Sequence, residues 1–142
     1  MNYEKEKELA AIEAVKLIEN GMVVGLGSGS SAAYMVKELG KRVAAGLSIV
    51  GVPTSENTRI LAIENRIPVK KLYEVDRIDL TIDGADEFDP YLQLIKGGGG
   101  ALLREKIIAH NSAVNVIIAD SSKQVNRLGK FKLPVEVIPF AA

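Results

Sequence analysis

The 142-residue sequence contains no cysteine and a single histidine, His110. Without thiols there is no disulfide and no thiolate metal site. One imidazole excludes a His-pair metal site and leaves one imidazole candidate for acid–base work. Net charge is absent too: Lys+Arg and Asp+Glu number 18 each. A neutral chain has no global field to draw in nucleic acid or an anionic membrane, so any phosphate it binds is held by local geometry. No apolar run approaches the roughly 20 residues that span a bilayer. The start, Met1-Asn2-Tyr3-Glu4-Lys5-Glu6-Lys7, leads into an amphipathic pattern rather than the apolar region of a signal peptide. These absences lead us to expect a cytoplasmic protein with neither nucleic-acid nor membrane partners. What remains is ordinary globular composition, 47% hydrophobic and 25% charged, in a chain long enough for one domain with a real core.

Strand-like and helix-like patterns alternate. Residues 3–19 predict a helix with Leu9, Ala11, Ile12, Ala14, Val15 and Ile18 on its apolar stripe, stopped at Asn20-Gly21. Residues 22–26 predict a buried strand. A helix carrying Ala32, Met35, Val36 and Leu39 follows, with Gly40 expected to close it. A second strand is expected at 47–52. Thr54 and Ser55 are N-cap candidates for a helix over 56–65 that buries Ile60, Leu61 and Ile63. Further strands are expected at 69–75, 78–82, 92–95 and 114–119, with a helix over about 101–110 between the last two. The alternation predicts an α/β fold, a mostly parallel, open, Rossmann-like sheet with helices on both faces. Ligands of such sheets bind outside the carboxyl ends of the strands. Residues 133–140 read as an edge strand or connector.

Four segments at predicted strand ends carry candidate chemistry. In GLGSGSS (25–31), small residues and a helix start let backbone N–H groups face an anion, with three serine hydroxyls as further donors. The loop reads equally as a structural turn or a phosphate cradle. A dinucleotide fingerprint would need glycine where Ser30 stands, and no Gly-Lys-Ser/Thr closes a P-loop. In DLTIDGADE (79–87) a strand delivers Asp83 and Asp86 to its end, either as a capped Asp-Gly turn or as a carboxylate pair that divides acid and base roles. In KGGGGALLREK (96–106) four glycines imply close backbone approach to a ligand, with Lys96 before them and Glu105 after. The fourth, Asp120-Ser121-Ser122-Lys123, offers a lysine that reaches a phosphate or stays solvated.

Together these segments resemble the type A ribose-5-phosphate isomerases. The matching stretches are GLGSGSS (25–31), VPTS (52–55), DLTIDGADE (79–87), KGGGGALLREKIIA (96–109) and DSSKQVNRLGKFKLPVEVIP (120–139), in the family's order and spacing. The resemblance implies interconversion of ribose 5-phosphate and ribulose 5-phosphate through an enediol, without metal or organic cofactor. It implies Glu105 as the base, and Asp83, Asp86 and Lys96 as the groups that open the ring, shuttle hydroxyl protons and stabilise the enediolate. It further implies substrate contacts from Ser28, Gly29, Ser30 and Ser31, from Gly84, Ala85, Gly97, Gly98 and Gly99, and from Lys7 and Lys123. Family members form homodimers or tetramers. The family's loop usually reads GTGST where this chain has GSGSS (27–31), which loses two threonine methyls and keeps the hydroxyls.

Family chains also continue past VEVIP into a small second α/β domain and return to the main sheet. Residues 1–130 are therefore expected to be the sugar-phosphate-binding catalytic domain, and 131–142 a connector strand toward a domain absent from this sequence. Two other readings compete. A non-catalytic sugar-phosphate-binding regulator needs ligand contacts but no base with its cation. A nucleotide-dependent oxidoreductase would want an acid at the second strand's end, where the sequence has Val52-Pro53-Thr54-Ser55 with Glu56 just beyond. His110, at the far end of its helix from the glycine loop, is a poorer base than Glu105.

Overall fold

The structure, a computed structural model, describes residues 1–142, with Ala141 described by its backbone alone. Three strands lie before the glycine loop's short hairpin: β1 (Val23–Leu26), β2 (Val50–Pro53) and β3 (Ile78–Asp83). The hairpin is β4 (Glu87–Phe88) paired antiparallel with β5 (Leu94–Ile95), and β6 (Ser112–Ile117) comes last. The central sheet is parallel, in the order β2-β1-β3-β6. Leu26 pairs with Pro53 on one side and Ile82 on the other, so three strand ends finish level. The chain leaves β1 for β2 and then crosses to β3 on the other side of β1. The topological switch therefore lies between β1 and β3, where open parallel sheets form their ligand crevice.

Four α-helices cover the sheet: α1 (Tyr3–Val15), α2 (Ser30–Ala44), α3 (Glu56–Glu64) and α4 (Leu102–His110). The first three bury Ala11, Val15, Met35, Val36, Leu39 and Ala62 with Val24, Leu26, Leu80 and Ile82 of the strands. Each such large side chain contributes about 1.5–3 kcal/mol by leaving water. Neighbouring side chains of a strand point to opposite faces. Gly25, between Val24 and Leu26, accordingly meets Ile108 of α4, which packs the other face with Val52 and Ile78. The expected arrangement, helices on both faces of a mostly parallel sheet, is what forms.

Several boundaries differ from expectation, each for a local reason. The first helix ends at Val15 rather than 19. The N–H groups of Leu17 and Ile18 bond to Ala14 and Val15 three residues back, and this tightened turn sends Ile18 into the core. Gly40 does not close α2. It lies inside the helix, where a Cβ would sit 2.8 Å from the Asn65 Cβ, so it lets the end of α3 approach; the helix ends after Ala44, just before Gly46 at φ +110°. α3 buries Thr58 and Ala62 and leaves Ile60 and Ile63 exposed, because the Thr58 hydroxyl is tied to the loop after β1. Residues 69–75 are not a strand. Val69 makes one bridge to Gly51, and Leu72–Glu74 forms a 3-10 turn closed by Lys71 N–H donating to Glu74 Oε2. Residues 133–140 form no strand; they run irregularly to a 3-10 turn at Pro139–Ala141, with Glu136 accepting from Leu103 N–H at 2.7 Å.

That last stretch leaves Leu133, Val135, Val137 and Phe140 exposed, and β6 is a sheet edge with Val114 half-exposed. An open edge beside apolar side chains favours association. The 142-residue chain is expected to self-associate, its mass rising over a concentration series in sedimentation. A monomer throughout the series would contradict this.

Candidate active site

The loop after β1 is built around glycine. A Cβ on Gly27 would lie 2.2 Å from Asp83 Oδ1 and 2.6 Å from the Asp83 Cα, so no other residue lets β1 and β3 finish this close. Gly29, at φ +94°, is the N-cap of α2; no side chain caps the helix and no acid lies in its first turn. Its free N–H groups and positive dipole end are open to an anion. Ser28 lines the same cavity, but its hydroxyl is committed: it lies 2.7 Å from Thr54 Oγ1, donates to Ser55 Oγ at 2.7 Å and lies 3.3 Å from Thr58 Oγ1. Thr54 and Thr58 in turn donate to the carbonyls of Leu26 and Gly27, each at 2.9 Å. This hydroxyl network pins the loop to the start of α3, whose N-cap is Ser55 as expected. Sequence reasoning missed Thr58, whose partner lies 31 residues away.

A lysine and two acids meet at the ends of β3, β5 and α4. Asp83 is buried; its Oδ1 accepts from the N–H groups of Ser28 at 3.2 Å and Gly84 at 2.8 Å, and its Oδ2 lies 3.1 Å from Lys96 Nζ. The ammonium of Lys96 also donates to the Gly84 carbonyl at 2.6 Å and lies 3.2 Å from Glu105 Oε1. That last contact is an ion pair outside ordinary hydrogen-bond geometry, and no other donor reaches the buried Glu105 Oε1. Burial pushes the Glu105 carboxyl above its ordinary pKa, the negative charge of Asp83 pushes it further, and Lys96 pulls back only part of the way.

Residues 28–31, Gly84, Ala85, Asp86, Lys96, Gly97, Gly98, Gly99, Glu105 and Lys123 line one cavity of about 100 Å³. It adjoins a 540 Å³ cavity that shares Ser28, Gly29, Ser30 and Gly99, and a 570 Å³ cavity that shares Lys96 and Glu105. A further hollow of about 510 Å³ beside Arg59 and Lys70 contains none of this chemistry, so size does not locate the site. Asp86 Oδ2 accepts from Gly98 N–H at 2.8 Å. Lys123 is carried on a 3-10 turn capped by buried Asp120. Burial raises that carboxyl, but the bonds it accepts from Ser122 outweigh the effect and leave its pKa lowered. Two expected residues are not on the cavity wall. Asp83 pairs with Lys96 without lining the cavity, and Lys7 pairs with Glu4 at 2.7 Å. His110 ends α4 and lines the 570 Å³ cavity, not the glycine-lined one. Glu56 pairs with Arg59 at 2.6 Å, which removes the acid a dinucleotide ribose would want.

Residues 50–142 match the family model described as ribose 5-phosphate isomerase A (phosphoriboisomerase A). The chain belongs to that family. It is 55% identical over 140 residues to a ribose-5-phosphate isomerase A of Bradyrhizobium diazoefficiens, covering 99% of this chain and 58% of that protein. It is 54% identical over 142 residues to the Parvibaculum lavamentivorans protein of the same name, covering 100% and 62%. A solved D-ribose-5-phosphate isomerase in complex with phospho-erythronic acid superposes with a TM-score of 0.88 at 50% identity, over 90% of this chain and 57% of the other. The chain thus spans about three fifths of the length of these relatives. Among the described residues no helix is long and apolar enough to cross a membrane.

Proposed function

We propose that this chain carries the catalytic centre of an aldose–ketose isomerase that interconverts ribose 5-phosphate and ribulose 5-phosphate through an enediol. One observation carries the reading: Glu105 is a buried carboxylate with a raised pKa and one oxygen that accepts no hydrogen bond, beside a lysine on a glycine-lined cavity. Burying two carboxylates on one lysine costs free energy, and a binding-only module gains nothing from the second. A general base gains a pKa closer to neutrality and an oxygen free to take a proton.

In this mechanism Glu105 removes the proton from C2 of the open-chain aldose. The electron pair forms the C1–C2 double bond, and O1 becomes an oxyanion. Lys96 donates to the Gly84 carbonyl and pairs with Asp83 and Glu105, and in this mechanism its ammonium stabilises that charge. Asp86, on the cavity wall, carries the hydroxyl proton from O2 to O1. Glu105 then returns its proton to C1, and C2 becomes the ketone. Asp83 acts from behind by holding Lys96 and the loop after β1 in one register. The phospho-erythronic acid complex of the solved relative supports this picture: a phosphorylated acid offers a planar oxygen pair like that of an enediolate. Residues 131–142 lead, in this proposal, toward a further domain of a longer protein that works as a homo-oligomer. A coupled turnover assay with ribose 5-phosphate tests the function; no turnover, with the fold intact, would defeat it.

The phosphate sits in this reading at the α2 N-terminus, held mainly by backbone N–H groups with Lys123 adding charge. Space is open around Gly29, so substitution there costs only backbone strain at its positive φ, about 1–3 kcal/mol. Gly29→Val is expected to raise KM roughly tenfold or more, and by more than Ser30→Ala does. If Ser30→Ala is the more damaging change in steady-state kinetics, side-chain donors dominate.

A further inference from the structure

Glu87, the last acid of the Asp-Gly-Ala-Asp-Glu motif, takes no part in the mechanism above, yet it is only 3% exposed. No cation lies within ion-pair distance of it among the described residues. Its two oxygens accept instead from two backbone N–H groups 42 and 44 residues later: Oε2 from Gly129 at 2.9 Å and Oε1 from Phe131. A second tie lies alongside, where Val125 N–H donates to the Phe88 carbonyl at 2.9 Å. Residues 124–131 therefore run as a strap along β4, fixed at one end by a ladder bond and at the other by the carboxylate.

The strap ends against the glycine loop. A Cβ on Gly98 would lie 2.8 Å from Phe131 Cζ and 2.6 Å from Asp86 Oδ1. Gly98 is thus held between the Phe131 ring and the Asp86 carboxylate, which also accepts from its N–H. Glu87 sits opposite Ile95 in the hairpin, and Ile95 immediately precedes Lys96. One buried carboxylate thereby ties the strap to the hairpin that carries both the Lys96 ammonium and the loop beside it.

We propose that Glu87 is a positioning residue for the isomerase centre: through the 129–131 turn it seats Phe131 on Gly98 and so fixes the wall of glycines and Asp86 facing the substrate. The chemistry of the side chain suits the task. A carboxylate accepts from both N–H groups at once, whereas a glutamine turns its NH₂ toward one of them and releases the turn. The inference rests on the proposed isomerase reading, and two readouts keep them separable.

In steady-state kinetics, Glu87→Gln is expected to lower kcat roughly 10- to 100-fold, the scale of a small misplacement of catalytic groups. Inhibition by inorganic phosphate, which reads the α2 N-terminus with Lys123, should stay unchanged. Phe131→Ala should reproduce the loss, Phe131→Tyr should restore activity, and the double variant Glu87→Gln/Phe131→Ala should lose no more than either single one, since both act through one contact. Independently of turnover, amide hydrogen exchange at Gly98 and Gly99 should speed up about tenfold in Glu87→Gln. Unchanged kcat, losses that multiply in the double variant, or exchange at the wild-type rate would each overturn the proposal. Should the wild-type protein turn over no ribose 5-phosphate, the isomerase reading falls, and the exchange rates alone decide whether Glu87 positions the loop.

Discussion

Replacing Glu105 by glutamine is expected to lower kcat by roughly 10²-fold or more, the scale of a lost general base, while making the folded chain more stable at neutral pH. The two effects share one cause. Burial and the charge of Asp83 raise the Glu105 pKa in the folded state above its unfolded value. A carboxyl with a raised folded pKa stabilises the fold fully below its unfolded pKa and loses that contribution as pH rises through the folded value. Glutamine has no such loss, so the stability gap between variant and wild type should be absent in acid and open as pH rises through this window. With Glu105 gone, Lys96 and Asp83 remain as a balanced pair at 3.1 Å. Urea unfolding at several pH values together with kcat measures both effects. The acid limb of wild-type kcat, set by the base, should lie above the ordinary carboxylate range. A variant that is less stable at every pH, or that keeps near-normal turnover, would show that Glu105 is structural.

Lys96→Met should lose as much activity and move stability the other way. Asp83 and Glu105 have side chains only 5% exposed, and Lys96 is the cation they share. Removing one partner from a buried ionic cluster costs about 3–5 kcal/mol, because the remaining charge stays buried without compensation. Losing the donor to a developing oxyanion costs roughly 10²- to 10³-fold in kcat. The destabilisation should shrink as pH falls and Glu105, whose pKa burial already raises, takes up a proton. It should shrink also in Lys96→Met/Glu105→Gln, where one of the two stranded charges is gone. Thermal unfolding of the four proteins checks this. Equal melting temperatures for wild type and Lys96→Met would show that the cluster is not coupled as described.

What the sequence made legible is what depends on near neighbours. Alternating apolar residues that end in Asp83-Gly84, or that run into Lys96 and four glycines, mark strand ends, and strand ends of a parallel sheet gather at one crevice. The fold class follows from that alone, and the family resemblance adds the grouping of Asp83, Asp86, Lys96 and Glu105. The misreadings share a different character. Gly40 is a helix stop by local rules; in the fold it is a contact with Asn65, 25 positions on, which no local pattern reveals. Ile60 and Ile63 look like the buried stripe of α3, but the helix is turned by the Thr58 hydroxyl reaching the Gly27 carbonyl. Glu87 is by local rules one more acid of its motif; its partners Gly129 and Phe131 lie 42 and 44 positions on.

The central claim is that Glu105 moves a proton between C2 and C1 of a phosphorylated pentose. Conversion of ribose 5-phosphate in deuterium oxide, followed by proton NMR, tests it most directly. A carboxylate base exchanges its proton with solvent between the two transfers, so deuterium should appear at C1 of the ketose with the wild-type protein and fail to appear with Glu105→Gln. Isomerisation without solvent deuterium in the product, or labelling at the same rate in both proteins, would contradict the account.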